Sequence, residues 1–292
     1  METKKYIAPG GWFSLNYPAS WSEFEDEEGS FLFYNPICWT GNFRISAYRG
    51  NTSDFGMESL KREVKENGAG TQIQNLNGIP CVYRKEPLVE NGGRYTVHYW
   101  LAGMEDVVFE CTFTAFENAP IDEALDTISS LELRKENKHY KAELIPVRVL
   151  EIFEIDEAFY RVTEMVKKTL SIDFQGQEND LDHLQLMLEQ APLNLKKRNV
   201  WTMVSIVLCT ILANEADGWE WRTLIDGKRE APVLVRVADN ASIDPSKLLW
   251  EQVKKGERPT MRTVFAKLTE IACPAPEKQN EETKDDEGGR EA

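Results

Sequence analysis

The chain has 292 residues, of which 41% are hydrophobic and 28% charged, enough apolar material for about two globular cores. Its formal net charge of -15 repels phosphate backbones and anionic lipid, which argues against nucleic acid and membrane surfaces as partners and favours a basic protein. Five cysteines, Cys38, Cys81, Cys111, Cys209 and Cys273, have neither zinc-knuckle nor redox-pair spacing, so they read as reduced thiols in a reducing, cytoplasmic compartment.

Residues 12–17 alternate, with Phe13, Leu15 and Tyr17 on one face, and Pro18 ends the strand because it cannot donate to a ladder. Ser30–Asn35 and Phe43–Tyr48 repeat the period of two. Met57, Leu60 and Val64 then fall at helical spacing, and Gly68 stops the helix. Asn77-Gly78 and Asn91-Gly92-Gly93 are hairpin turns, since these residues tolerate positive φ. Tyr95, Val97, Tyr99 and Leu101 share one strand face, as do Val107, Phe109, Cys111, Phe113 and Ala115 on the next strand. Pro120 opens a helix with Leu125, Ile128 and Leu131 inward. The order βββ-α-βββ-α predicts an α+β domain, an antiparallel sheet flanked by helices, over residues 1–136.

The opening Phe13-x-Leu15-x-Tyr17-Pro18-x-x-Trp21 and the closing Ile128-Ser129-Ser130-Leu131 resemble the PsbP-like fold over about residues 8–136. That resemblance implies a binding or assembly factor. It carries over no catalytic residue and no cofactor.

Residues 137–149 turn polar and read as a linker. A second domain, 150–273, is predicted to be mainly helical around a small hairpin at 219–237. Phe159, Val162, Val166 and Leu170 form one stripe, and Leu181, Leu184 and Leu188 another. The Val200–Ala213 stretch is apolar on most sides but too short to span a bilayer, so it is expected to be a central buried helix. Trp219 to Ile225 and Val233 to Val237 alternate about the Asp226-Gly227 turn. This half resembles uncharacterised bacterial modules found beside PsbP-like domains. Residues 274–292 are expected to be a disordered acidic tail.

Catalytic and metal chemistry finds little support. His98, His139 and His183 have no metal-ligand spacing, no serine sits in a nucleophile elbow, and the glycine pairs lack the Lys-Ser/Thr of a phosphate loop. Cys111 and His98 are expected on adjacent strands, but Cys111 shares its face with Phe109 and Phe113, which favours burial over nucleophilic attack. No metal or cofactor is predicted. The candidate protein-binding residues are Trp39, in the loop Asn35–Asn42, and Trp219, Trp221 and Arg222 on the hairpin, because Trp and Arg are enriched at interfaces. The expected function is a non-enzymatic protein-binding or assembly factor with a protein partner, neither nucleic acid nor membrane. Two alternatives are an immunity protein or effector chaperone for a basic toxin, and an enzyme using Arg222, Glu220 or Asp239 at the domain junction.

Overall fold

In the computed structural model, which describes residues 2–25, 29–68, 71–135 and 138–272, the alternating segments become strands. The chain opens with β1 (Thr3–Ile7), β2 (Phe13–Pro18), β3 (Ser22–Phe24), β4 (Ser30–Tyr34) and β5 (Asn42–Arg49). Helix α1 (Phe55–Asn67) follows, then β6 (Ile73–Leu76), β7 (Ile79–Glu90), β8 (Gly93–Met104) and β9 (Val107–Phe116), then α2 (Asp122–Ser129) and β10 (Glu132–Leu133). The α+β class and the antiparallel pairing are as the sequence predicts. Two short, polar strands, β1 and β3, join the three read from alternation before α1. The expected acidic tail, 274–292, lies outside the described residues.

Seven strands form one sheet in the order β3-β4-β5-β9-β8-β7-β6, and β1, β2 and β10 form another. Asn77 and Gly78 (φ 53° and 94°) make the β6–β7 turn, and Asn91 and Gly92 (48° and 79°) the β7–β8 turn, both in the left-handed region that short hairpins need. Register places Phe43 opposite Phe113 and Trp100 opposite Cys111. The faces carrying Phe43, Ile45, Phe109, Cys111 and Phe113 pack with Phe13, Leu15 and Tyr17 of β2 and with Ala124 and Ile128 of α2. Trp21 is wholly buried there, 6.0 Å from the rings of both Phe43 and Phe113. Each such aromatic contributes roughly 2–3 kcal/mol through area removed from water.

Helix α1 packs on β7, β8 and β9. The approach is backbone to backbone. A β-carbon on Gly56 would lie 2.6 Å from Met104 N and from Val107 O, and one on Gly103 would lie 2.6 Å from Gly56 O. Glycine is required here by space, since neither position has a positive φ.

The segment 137–149, read as a linker, contains a strand, β11 (Glu143–Pro146). It pairs with β12 (Trp219–Asp226), and the sheet continues through β13 (Arg229–Arg236) to β14 (Ser242–Ile243). Ile145 and Ile225 of this sheet form a small core with Ile7 of β1. The chain accordingly divides into two units: Met1–Glu157 with Glu220–Val235 and Ser242–Asp244, and Ala158–Trp219 with Arg236–Ala241 and Pro245–Ala292. Most of the 219–237 hairpin, grouped by sequence order with the second domain, thus belongs to the first unit.

The second unit holds the later turns of α3 (Val149–Leu170), α4 (Leu181–Gln190), α5 (Arg198–Glu215), α6 (Pro245–Leu248), α7 (Trp250–Lys254) and α8 (Met261–Ala272). As its all-round apolarity predicts, α5 is central, with Val204 to Cys209 buried without a break. Arg262 of α8 clamps Asp182 of α4 through two hydrogen bonds of 2.7 and 2.6 Å.

Substituting Gly56→Ala or Gly103→Ala forces α1 off the sheet. Each should cost about 1–3 kcal/mol, read as a lower urea midpoint at unchanged slope.

Candidate recognition surface and the buried charge network

The Trp39 loop is shaped by Asn35. Its Oδ1 accepts hydrogen bonds from the N–H groups of Ile37 (2.9 Å) and Cys38 (3.0 Å), curling the chain so that Ile37 stands 95% exposed. Thr40 Oγ1 donates to Glu123 on α2 at 2.8 Å and ties the loop down. Trp39 is half-buried rather than the exposed anchor its loop position suggests. Its Nε1 donates to Asn42 Oδ1 at 2.7 Å, and its ring stands edge-on to Phe116 (5.0 Å) and Tyr95 (6.1 Å). Tyr95 and Phe116 are ladder partners on β8 and β9 and stack at 5.3 Å, with Phe116 54% exposed. Sequence reasoning singled out Trp39 and not its ring neighbour Phe116. The Tyr95–Phe116 pair was available from the hairpin register.

The other three candidates stand on the four-stranded sheet. Trp219 is buried, 9% exposed, with the Arg236 guanidinium 5.8 Å from its ring. Trp221 is half-buried. Arg222 spends its charge on Glu220, two residues away on the same strand face (Nε to Oε1, 2.5 Å). Asp239 accepts two hydrogen bonds from Arg236, at 2.8 and 2.6 Å; these, then the Ala241 N–H, pull its carboxyl down to about 2. All three polar groups of the enzymatic alternative are therefore held in local pairs.

His98 is buried in the first unit. Its Nδ1 is 2.8 Å from the Tyr83 hydroxyl, and its ring stacks with Tyr83 and Trp100. Burial first, then Lys85, lowers its pKa, which favours the neutral imidazole. Burial likewise raises the Cys111 thiol, with smaller help from Cys81 and Glu110, and leaves it a poor nucleophile. In the second unit His183 Nδ1 sits 2.9 Å from Asp180, whose carboxyl also accepts the N–H groups of Gln175 and Gln177. Among the described residues, no three His, Cys, Asp or Glu side chains are grouped to hold a metal ion.

A buried ionic network centres on Arg148, whose residue is 1% exposed. Its Nε donates to Glu151 Oε2 (2.8 Å), Nη1 to the Ile7 carbonyl (3.0 Å) and Nη2 to Glu230 (2.7 Å), and Nη2 also pairs with the second Glu151 oxygen. The Thr223 hydroxyl donates to Glu151 (2.8 Å) and accepts the Arg148 N–H (3.2 Å). Glu23 of β3 accepts the Val149 N–H at the start of α3 (3.2 Å). Burial pushes its carboxyl up to about 7 against the opposing pull of that bond and of Arg148. Sequence reasoning missed the network because Arg148 falls in the segment 137–149 read as a polar linker, and Ile7, Thr223 and Glu230, which complete the network, lie far along the chain.

This first unit, an antiparallel α+β domain built on a buried arginine, corresponds to a defined family. Residues 1–156 match the model described as domain of unknown function DUF3805, and the chain belongs to that family. Residues 180–265 match a second, domain of unknown function DUF3806. The chain is similar to a protein of Bacteroides thetaiotaomicron VPI-5482 solved by crystallography. The two are 44% identical with a TM-score of 0.87, over 93% of this chain and 100% of that one. Over the N-terminal half, structural neighbours include PsbP-like proteins. Cyanobacterial PsbP (CyanoP) from Synechocystis sp. PCC 6803 is 15% identical with a TM-score of 0.22, over 45% of this chain and 92% of that one. LpqN, involved in cell envelope biogenesis of Mycobacterium tuberculosis, is 16% identical with a TM-score of 0.29, over 46% and 93%. No functionally curated protein matches the chain. No described helix is long and apolar enough to cross a membrane.

Arg148→Ala leaves Glu151 buried and uncompensated and should cost about 3–5 kcal/mol in urea denaturation. A second measurement isolates Glu23. The folded state binds its proton more tightly than the unfolded chain, whose value is near 4.5. Its stabilising contribution is therefore complete below pH 4.5 and lost as pH rises through about 7. Across that window wild type should lose stability relative to Glu23→Gln, measured as urea midpoints at half-unit pH steps.

Proposed function

We propose that the chain is a non-catalytic binding protein that receives a protein partner on the surface formed by Ile37, Trp39, Tyr95 and Phe116. The observation that carries this reading is Ile37, an aliphatic side chain 95% exposed two residues along the loop from Trp39, whose ring meets the stacked Tyr95 and Phe116. Single exposed apolar residues are normal on protein surfaces. Here, however, the loop is fixed by Asn35 and by the Thr40–Glu123 bond, so the patch is preorganised. Little conformational entropy remains to be lost on docking, which favours affinity. Central aromatic and aliphatic anchors of this kind dominate interface energetics. The net charge of -15 favours a basic partner, steered to the surface at low salt. The reduced thiols suit the cytoplasm.

The test is affinity capture from extract of the source cells with the purified chain as bait. A stoichiometric partner held by wild type should be retained by Trp221→Ala and lost, by about 30-fold or more in affinity, by Ile37→Asp and by Phe116→Ser. A partner held equally by all four proteins would move the interface elsewhere.

A further inference from the structure

In a chain of net charge -15, one cavity of the first unit has cationic walls. It encloses about 680 Å³ and is bounded by the Gly10-Gly11-Trp12 turn, Arg134 and Lys135, Lys138 to Tyr140, and the β12–β13 turn at Gly227-Lys228. Among the described residues its lining includes no carboxylate. Arg134, buried, is its fixed point. The Arg134 N–H donates to the Trp12 carbonyl (2.9 Å), Nε donates to the Gly11 carbonyl (3.2 Å), and the guanidinium lies 4.0 Å from the Tyr140 ring centre. Tyr140 is locked in turn by the Lys135 N–H, which donates to its hydroxyl at 3.1 Å. Arg134 and Lys5 share the one carboxylate of Glu143, leaving a positive surplus behind the wall. Lys138 and Lys228 are exposed and, among the described residues, have no carboxylate partner. Lys135 reaches Glu105 only at 4.0 Å, with both side chains in solvent.

Three glycines shape the opening. Gly10, Gly11 and Gly227 all have positive φ, at 82°, 65° and 62°. They form two tight turns without side chains and leave the floor of the cleft open. A cation-lined cleft with low-dielectric walls focuses a positive field, here against the sign of the whole molecule. The volume lies within the range of small-molecule sites and far exceeds what a single inorganic anion fills.

We propose that this cleft binds a small phosphorylated metabolite of nucleotide size, its phosphates held between Lys138 and Lys228 and its body against Trp12 and Tyr140. Its residues are not those of the partner surface proposed above, and the assignment stands without that reading. Titration calorimetry of the full chain with inorganic pyrophosphate, ADP, ribose 5-phosphate and adenosine tests it. Wild type should bind at least one of the phosphorylated probes with Kd of roughly 10–100 μM, weakening as salt rises, and adenosine should not bind. The double variant Lys138→Glu, Lys228→Glu alters only exposed side chains and should keep the wild-type melting midpoint while weakening that binding at least 10-fold. The proposal is overturned by absence of binding for all three phosphorylated probes at about 1 mM, by adenosine binding as tightly as ADP, or by equal affinity in the double variant.

Discussion

The first unit depends on one buried guanidinium. Arg148 ties the end of β1, the first turn of α3 and strand β13 through hydrogen bonds from every one of its nitrogens. Taking an arginine and a glutamate out of water costs several kcal/mol per ion, and their attraction offsets this only when geometry is good and every polar atom is engaged. Both conditions are met. Glu151 receives the guanidinium at two oxygens and a hydroxyl from Thr223 as well. What the network contributes is therefore position more than net stability. Apolar side chains of equal volume would hold the same elements together with less directionality.

That position connects two kinds of packing. On one side lies a dense aromatic core, where Trp21, Phe43, Phe109 and Phe113 fix the seven-stranded sheet against β2 and α2. On the other lies the thin aliphatic contact of Ile7, Ile145 and Ile225, which alone would hold the four-stranded sheet weakly. The directional bonds of Arg148 supplement the contact where apolar area is small. The neighbouring cleft follows from the same arrangement. The Gly10-Gly11 turn joins β1 to β2 in one sheet and the Gly227 turn joins β12 to β13 in another, and Arg134, braced on Gly11 and Glu143, lines the cleft with both.

Most of the fold was legible because its signals are local. Alternation at Phe13, Leu15 and Tyr17, the Asn-Gly turns and the all-round apolarity of Val204 to Cys209 each depend on neighbours within a few residues. The features missed depend on partners far along the chain. Glu143–Pro146 has too few alternating residues to announce a strand, and it becomes one because Arg222–Ile225 comes alongside. Lys135 and Lys138 have the composition of a solvated linker, and only Gly11 and Lys228, brought in from elsewhere, turn them into the wall of a cleft. The candidate surface was half legible: residue type and loop context single out Trp39, while its contact with Phe116 requires the β8–β9 register.

The place of strands β12 and β13 in the first unit bears on how the protein is made. The family model for this unit ends at residue 156, yet Thr223, Ile225 and Glu230 complete its interior. During synthesis the first unit cannot close its Arg148 network when residue 157 leaves the ribosome. It must wait while the whole of Ala158–Trp219, which belongs to the other unit, is translated. At roughly 5–20 residues per second that interval is several seconds. For that time Ile7 and the Arg148–Glu151 pair lack Ile225, Thr223 and Glu230, the residues that complete their surroundings. The nascent first unit is thus a stage at which chaperone binding or misassembly competes with folding, and a fragment cut at the family boundary would remain at that stage.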